Sequence, residues 1–301
     1  MKILITGATG LIGKVISKKA LANGYHVNFL TTSKSKINSL SGCKGFYWNP
    51  LRGIIDLNAF KDVSYLINLA GDSIANRWTT KHRNKIIESR VLSANIIYNS
   101  LIDLQINLKG IISASAIGYY PDTYEYYDEY NICSPENFLQ KVIDKWEKAI
   151  IELETQTQNL TIIRIGLVMS AKGGILSNIV PSVRFCLGSA FGSGNQWQSW
   201  IHIDDLAGIF LHVIKNNLRG TINAVAPNPV TQNQLMKSLG RHLNRPIILP
   251  NIPKSLVKLI LGDRSQLVLS SQKISSRKIE ASGFNFEFRD FENAIKDLKI
   301  K

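Results

Sequence analysis

The chain has 301 residues, of which 45% are hydrophobic, so it is long enough for one large domain or two of ordinary size. Apolar and aromatic residues run throughout, which excludes a disordered chain. Thirty-six Lys and Arg residues stand against 22 Asp and Glu residues, for a formal charge of +14. No run of five or six like charges occurs, so we attribute the charge to a solvated surface, whose field also favours an anionic cofactor or substrate.

The three cysteines, Cys43, Cys133 and Cys186, are far apart and form no C-x-x-C pair. This usage argues against a disulfide framework or a cysteine-rich metal site and favours a reducing compartment. We find no signal-type or transit-type segment, and no apolar run approaches the ~20 residues that span a bilayer. We therefore expect a cytoplasmic protein without a membrane partner.

Apolar runs alternate with helical patterns in the first part of the chain. Strands that alternate with helices of this length favour a parallel, doubly wound sheet, and continuously apolar strands agree because both of their faces are covered. The predicted elements are a strand over Lys2–Thr6, a helix to Ala22, strands over Tyr25–Thr31 and Tyr65–Ala70, a helix over Thr79–Leu101, a strand over Gly110–Ser115, a helix from Ser134, and a strand over Leu160–Met169.

The pattern changes after Met169, where Gly and Ser become frequent. A strand over Thr221–Pro227 is followed by a helix start, with Thr231 as N-cap and Gln234 as its capping-box partner. We place a first domain at residues 1–226, with 172–200 contributing to a substrate cleft, and a smaller, mostly helical domain at 227–301.

A glycine-rich segment, GATGLIG, follows the first strand and opens the first helix. This is the context that the dinucleotide-binding fingerprint requires: the first glycine permits the tight turn, the second admits the pyrophosphate, and the third lets helix and strand pack closely. The sequence therefore predicts an α/β fold with a Rossmann-type doubly wound parallel sheet. We assign to the cofactor the residues Gly7, Thr9, Gly10, Leu11, Ile12 and Gly13.

The end of the second strand, TTSKSK over residues 31–36, contains no Asp or Glu. An acidic residue there would bind the adenosine ribose of NAD, whereas hydroxyls and lysines suit the 2′-phosphate of NADP. We predict NADP rather than NAD, bound through Thr31, Thr32 and Lys34. The alternative is that this segment is only a polar loop.

Small residues end the next ligand-side strand at Leu69, Ala70 and Gly71, where a cofactor passes close to the backbone. The helix that follows carries Arg83 and Arg90, which are seven residues apart and share a face. We assign Arg90 to the cofactor phosphates, with a solvated surface arginine as the alternative.

The motifs TGATGLIG, NLAG, SASAIGYY, RIGLV and WIHIDDLAG, in this order, resemble the extended short-chain dehydrogenase/reductase superfamily, which includes sugar-nucleotide epimerases. LAGDSIANRW, PSVRFCLGS, GSGNQWQSW and NAVAPNPVT are similar to an atypical epimerase-like family that ends in a small domain of unknown role. The resemblance covers nearly the whole chain and implies an NADP(H)-binding protein of unknown substrate. We add Ser113 and Val168 to the cofactor-binding residues. Some bacterial members are labelled cell-division inhibitors, and plant relatives are linked to plastid division.

The chain departs from these relatives at several positions. Members commonly have an Arg near Thr32, so Lys34 or Lys36 would have to replace it, and Pro121 stands where Gly often follows the YY pair.

The superfamily's Tyr-x-x-x-Lys pair is also missing. The tyrosine moves a proton, and the lysine lowers its pKa and holds the nicotinamide ribose. We align the pair with Phe138 and Val142, and none of the ten tyrosines has a lysine four residues later. Ser134 and Pro135 suggest the N-cap and N1 position of this helix.

Ser115 and Tyr120 remain as catalytic candidates near the end of a strand, where ligands of such sheets bind. Ser113 or Ser115 would contact a substrate carbonyl, and Tyr120 would act as an acid. The alternative is that these residues close the strand and pack.

Weaker candidates have structural alternatives. Asp128 and Glu129 are more typical of a surface loop. His202 would support the start of a helix whose N-cap is Asp204 or Asp205. Arg164 is structural or anion-binding. H-E-x-x-H, G-x-S-x-G and Walker motifs are absent from the sequence, and we predict no metal.

Three functions follow in order of preference. The first is an NADP-dependent oxidoreductase or epimerase-like enzyme with an atypical proton relay. The second is a non-catalytic NADP(H)-binding sensor or scaffold, with the cell-division labels as its context. Nucleic-acid binding rests on charge alone and ranks last. The sequence does not specify the oligomeric state.

Overall fold

The central sheet begins with β1, a run of apolar residues whose side chains are almost all buried. The computed structural model describes residues 1–300. Its strands are β1 (Lys2–Thr6), β2 (His26–Thr31), β3 (Cys43–Asn49), β4 (Ile54–Ile55), β5 (Tyr65–Asn68), β6 (Gly110–Ala116), β7 (Tyr126–Tyr127), β8 (Leu160–Ile165), β9 (Leu167–Met169), β10 (Trp197–Gln198), β11 (Trp200–His202), β12 (Gly220–Ala224), β13 (Val230–Thr231) and β14 (Lys273–Ile274).

Ten α-helices lie among the described residues 1–300. They are α1 (Leu11–Ala22), α2 (Thr80–Asp103), α3 (Phe138–Ile151), α4 (Leu176–Arg184), α5 (Ile203–Asn216), α6 (Gln232–His242), α7 (Lys254–Leu261), α8 (Gln266–Leu269), α9 (Arg277–Ala281) and α10 (Phe291–Asp297). None of the helices among residues 1–300 is long and apolar enough to cross a membrane.

Eight strands form one sheet in the order β4-β3-β2-β1-β5-β6-β8-β12. β1 pairs in parallel with β2 on one side and β5 on the other, and the short edge strand β4 is antiparallel to β3. Because the strand order reverses at β1, the carboxyl ends of β1 and β5 flank the crevice where such sheets bind ligands. The predicted α/β, doubly wound, Rossmann-type fold is confirmed.

The chain divides into two compact units that are interleaved in sequence. The first comprises 1–119, 134–164 and 207–222, and the second comprises 120–133, 165–206 and 223–301. The predicted domain boundary at 226/227 stays a prediction, and the compact units follow a different division because two earlier segments also belong to the second unit.

Each unit has its own hydrophobic core. In the first, Leu4 of β1 and Leu66 of β5 pack with Ile97 of α2. In the second, Trp200 of β11 packs with Leu235 of α6 and Phe291 of α10. The second unit also holds the small sheets β9–β11, β10–β13 and β7–β14.

Local deviations from the predicted elements have physical causes. The predicted strand Leu160–Met169 is two strands, because at Gly166 the backbone passes so close to the residue between β10 and β11 that a Cβ would lie 2.5 Å from the Ser199 carbonyl oxygen. The capping box predicted at Thr231 and Gln234 is confirmed.

The predicted start of α3 at Ser134 is wrong. The helix begins at Phe138, because Asn137 and Gln140 form a reciprocal capping box further along the chain.

Strand β3 has no counterpart among the predicted elements. Its sequence, CKGFYWN, contains Gly45, where a Cβ would overlap the Ile37 carbonyl oxygen and lie 2.6 Å from Phe29 Cζ. The glycine that weakens the strand pattern is therefore the residue that allows the preceding loop to cross β3.

We predict that Gly45→Ala destabilises the protein by about 3 kcal/mol, because the methyl group meets backbone that cannot rotate away. Gly24→Ala is the matched control: Gly24 has a φ of +76° with no atom within 4 Å of an added Cβ, so only backbone strain of about 1 kcal/mol is expected. Urea denaturation of the two variants measures the difference, and equal losses would contradict the crossing at Gly45.

Candidate functional site

The loop between β1 and α1 is built on two close backbone approaches. Gly7 has a φ of +67°, and a Cβ on it would lie 2.8 Å from the Leu69 carbonyl oxygen. A Cβ on Gly13 would overlap the Gly7 carbonyl oxygen and lie 2.6 Å from Ala8 Cα. No other residue type satisfies both positions, so the loop has the tight turn and close packing of a pyrophosphate cradle.

Gly10 differs from these two glycines because it faces open space. A Cβ there would contact only the Gly7 oxygen, at 3.2 Å. Gly10 is the N-cap of α1, which has no side-chain cap and no acidic residue in its first turn. The amides of Leu11, Ile12 and Gly13 therefore lie at a helix N-terminus that favours an anion. Thr9 is half-buried beside Gly10.

Hydrogen bonds fix the carboxyl ends of three neighbouring strands. Thr6 Oγ1 donates to Asn68 Oδ1 at 2.7 Å, and Asn68 Nδ2 donates to Ser113 Oγ at 3.2 Å. The Leu69 and Ala70 N–H groups donate to Thr6 Oγ1, which holds the backbone where β5 ends. Ser113 is fully buried within this chain of bonds, so its assigned contact with a cofactor stays a prediction.

The end of β2 carries cationic and hydroxyl groups without any acid. Thr31 is buried and its Oγ1 accepts from the Ser33 N–H, whereas Thr32 and Lys34 are exposed. Lys34 Nζ lies 5.3 Å above the Tyr47 ring. Residues 1–55 contain eight Lys and Arg residues and no Asp or Glu. The strand end is thus suited to a phosphate and has no carboxylate to bind a free ribose 2′-hydroxyl.

Arg90 is held by protein groups beside the β5 end. Its guanidinium lies 4.9 Å from the Trp146 ring centroid and donates to the Asp72 and Ile86 carbonyl oxygens. A Cβ on Gly71 would meet that guanidinium at 3.0 Å. Burial lowers the pKa of Arg90 to about 10. These contacts explain the glycine after Ala70, and the assignment of Arg90 to phosphate stays a prediction.

Phe138, aligned with the missing tyrosine, lies in a cluster of aromatic and cationic side chains. Its ring packs edge-on against Trp78, with centroids 5.0 Å apart, and Arg83 lies 4.7 Å above it. Val142, aligned with the missing lysine, is buried. Neither residue moves a proton at this position.

Ser115 belongs to a buried ionic network that includes Glu147, a residue absent from the sequence-based candidates. Ser115 Oγ donates to Glu147 Oε1 at 2.6 Å. Arg164 donates from Nε to Oε1 at 2.9 Å and from a terminal nitrogen to Oε2 at 2.7 Å. The Arg164 guanidinium also lies 3.4 Å from the Tyr119 ring centroid. The structural alternative for Arg164 is therefore the one that the contacts support.

The signal for Glu147 was present in the sequence. It lies four residues after Ile143 on the buried face of α3, where an acidic side chain requires a partner. The partner of Glu147 is Arg164 of β8. Nothing in the sequence alone indicates that these two residues meet.

Tyr120 is buried in the second unit, where its hydroxyl donates to Asn223 Oδ1 at 2.9 Å. The Asn223 N–H donates to Glu129 Oε1 at 2.7 Å, and burial raises the pKa of Glu129. Glu129 lies in a half-buried turn, and its carboxylate also caps the backbone of β12. The catalytic assignments of Ser115 and Tyr120 stay predictions, and both hydroxyl protons are engaged.

His202 supports the start of α5, as its structural alternative predicted. Its Nδ1 accepts from the Asp204 N–H at 3.2 Å, which leaves the proton of the neutral ring on Nε2. The predicted N-cap at Asp204 or Asp205 is wrong, because α5 begins at Ile203. Asp205 instead accepts from the backbone of Glu287 and Phe288.

Asp297 approaches the other ring nitrogen of His202. Among residues 1–300, His202, Asp204 and Asp297 form a cluster of metal-ligand type. The Nε2 atom that faces Asp297 Oδ2 at 3.5 Å carries the proton and offers no lone pair to a metal. Burial lowers the pKa of His202 and keeps the ring neutral.

Val168 lies on β9 in the second unit, paired in register with Ile201 of β11. Its assignment to the cofactor stays a prediction.

We predict that Glu147→Gln lowers the free energy of unfolding by about 3 kcal/mol or more, because the buried Arg164 guanidinium loses its counter-charge. The matched control is Asp144→Asn on the same helix. Its exposed pair with Lys148 is expected to contribute less than about 1 kcal/mol. Chemical denaturation compares them, and equal losses would contradict the buried network.

Comparison with known proteins supports the fold. A model of the NAD dependent epimerase/dehydratase family matches residues 3–225, and a domain of unknown function (DUF1731) matches residues 252–298. The chain is 34% identical over 302 residues to the epimerase family protein SSP1921 of Staphylococcus saprophyticus, covering 98% of each. It is 31% identical over 309 residues to the Arabidopsis thaliana epimerase family protein SDR39U1 homolog, chloroplastic, covering 99% of this chain and 86% of that one.

Among solved structures, human epimerase family protein SDR39U1 in a crystal with NADPH superposes with a TM-score of 0.85. The two sequences are 25% identical, and the match covers 99% of each chain. Both the family model and the relatives extend over most of the sequence. The chain belongs to the NAD dependent epimerase/dehydratase family.

Proposed function

We propose that this protein binds NADP(H) through its first unit, with the pyrophosphate on the 7–13 loop and the 2′-phosphate at the end of β2. The observation that carries the proposal is the end of β2, which has no acidic residue and exposes Thr32 and Lys34. Strand β2 pairs with β1, the strand that leads into the glycine loop. An NAD-binding site needs a carboxylate at that strand end, and this chain has none before Asp56.

Two further observations support it. The Gly7 and Gly13 positions admit no Cβ, whereas Gly10 faces open space at the N-terminus of α1, as a pyrophosphate cradle requires. The human relative, whose crystal contains NADPH, matches this chain over nearly its whole length.

The first candidate activity is an NADP(H)-dependent oxidoreductase or epimerase of unidentified substrate. A bound nicotinamide supplies or accepts hydride, and the protein's part is to orient it and to manage protons. Without a Tyr-x-x-x-Lys pair, the proton would come from Ser115, Tyr120 or water. Ser115 and Tyr120 would first have to release Glu147 and Asn223.

The second candidate is a non-catalytic NADP(H) sensor or scaffold, and a specific observation favours it. Both candidate hydroxyls are buried and hydrogen-bonded, and Phe138 and Val142 replace the proton relay. The link to cell division rests on the labels of family members and stays a proposal. Oxidation of bound NADPH by a panel of aldehydes and ketones would distinguish an enzyme from a sensor.

Charge reversal at the end of β2 tests the choice of cofactor. We predict that the double variant Lys34→Glu, Lys36→Glu binds NADPH at least ~30-fold more weakly, a loss of about 2 kcal/mol. Its affinity for NADH, which lacks the 2′-phosphate, should change far less. Nicotinamide fluorescence titration gives both dissociation constants.

The control carries the same charge change elsewhere. Lys18→Glu, Lys19→Glu on α1 keeps the composition of the double variant while leaving the β2 end intact. Equal weakening of NADPH and NADH by the β2 variant would contradict a 2′-phosphate contact. Failure of the unmodified protein to bind either nucleotide would contradict the proposal as a whole.

A further inference from the structure

Two adjoining segments of the second unit present apolar side chains to solvent. Residues 184–193 and 245–252 run side by side: Ser189 Oγ donates to the Pro250 carbonyl oxygen at 2.6 Å, and the Ile252 N–H donates to the Ala190 carbonyl oxygen at 2.8 Å. Arg245 Nε also donates to the Arg184 carbonyl oxygen. The segments therefore form one local surface.

Large apolar side chains on this surface are exposed without an apolar partner to cover them. Phe185 and Leu187 are 77% and 62% exposed, on either side of a Cys186 turn with a φ of +57°. Ile248 is 73% exposed on the neighbouring segment. Exposed side chains of this size and number mark an interaction site more often than a plain monomer surface.

Helix α7 follows the second segment in the chain and also exposes apolar side chains. Val257 is buried, whereas Leu259 and Ile260 are 81% and 66% exposed. Leu256, three residues before Leu259 and four before Ile260, lies on the same face and is also exposed. We call the set the basic apolar surface: Phe185, Leu187, Ile248, Leu249, Leu256, Leu259 and Ile260, with the basic residues Arg184, Lys237, Arg241, Arg245, Lys254 and Lys258.

The segments that form this surface carry only basic charges, although the exposed carboxylate of Glu292 lies beside Arg241. Residues 155–203 and 206–262 contain no Asp or Glu. Lys237, Arg241 and Arg245 line a hollow of about 550 Å³. Ile247, next to the exposed Ile248, also lines it. Arg241 pairs with Glu292.

The remaining five basic residues of the surface are exposed and form no ion pair within residues 1–300. Their field is therefore available to an external anion.

We propose that the basic apolar surface binds peripherally to an anionic lipid bilayer. Phosphate groups would occupy the basic hollow, while the apolar side chains enter the boundary between headgroups and acyl chains. Interfacial binding grows with the buried apolar area and with attraction to anionic lipid, and this surface offers both together. A nucleic-acid site would use the basic side chains but would not need exposed aliphatic ones. Phosphates and base edges are bound mainly by hydrogen bonds and charge, so the aliphatic side chains would gain little contact.

This mode of binding requires no spanning segment. The expectation of no membrane partner rested on the lack of a long apolar run, and that criterion does not test peripheral association. The surface lies wholly within the second unit, so the proposal is independent of the nucleotide site in the first.

Vesicle flotation with the full chain tests the proposal. One set of vesicles contains phosphatidylglycerol with phosphatidylcholine, and the other contains phosphatidylcholine alone. At ~0.15 M salt the protein should float with the anionic vesicles and not with the neutral ones, and binding should weaken as salt rises. No flotation with anionic vesicles, or equal flotation with both, would overturn the proposal.

Two surface variants should lose binding without unfolding, because every substituted side chain is exposed. Lys254→Glu, Lys258→Glu should reduce partitioning at least ~25-fold, at roughly fivefold for each lysine lost. Leu259→Ser, Ile260→Ser should reduce it at least ~tenfold. A variant that binds as well as the unmodified protein would exclude its residues from the interface and contradict this placement.

Matched controls lie in the first unit. Lys215→Glu, Arg219→Glu makes the same charge change, and Ile54→Ser, Ile102→Ser removes the same number of exposed apolar side chains. Both should float like the unmodified protein. If the controls lose as much binding as the surface variants, net charge or general stickiness explains the result and the proposal fails. Binding to duplex DNA of equal charge, without binding to vesicles, would also overturn it.

Discussion

The close backbone approach between the 7–13 loop and the end of β5 is the constraint on which the first unit depends. Gly7 turns the chain against Leu69, and Gly13 brings α1 against Ala8. The same contact positions the N-terminus of α1 at the point where the strand order reverses. Thr6, Asn68 and Ser113 then tie the strand ends together from within. The fold of the first unit and the proposed nucleotide site therefore depend on one geometric requirement.

The carboxylates are distributed unevenly along the chain, and this determines where positive charge is left unbalanced. All 22 Asp and Glu residues lie outside residues 1–55, 155–203 and 206–262. The first of these stretches contains the glycine loop and the end of β2, and the other two contain the basic apolar surface. The carboxylates with a clear structural role are instead committed within their own units, as in the pairing of Glu147 with Arg164. The +14 charge thus reflects these three acid-free stretches as well as a solvated surface.

Patterns among residues close in sequence were sufficient to predict the doubly wound sheet, the glycine loop and the capping box at Thr231. Other features depend on residues distant in sequence. Strand β3 was missed because Gly45 weakens its pattern, and that glycine is explained only by the crossing of Ile37. The Glu147–Arg164 pair joins a helix to a strand, and Glu129 reaches β12 across more than ninety residues. The capping box at Asn137 was overlooked because Ser-Pro offered a stronger local signal three residues earlier.

Hydrogen exchange of the protein with and without nucleotide tests the central claim most directly, because it locates the cofactor on the chain. With NADPH, amides of residues 7–13 and 31–36 should both become protected. With NADH, the 7–13 loop should become protected and residues 31–36 should not, since the 2′-phosphate is missing. No protection of residues 31–36 with NADPH, or the same pattern with both nucleotides, would contradict the assignment of the β2 end to the 2′-phosphate.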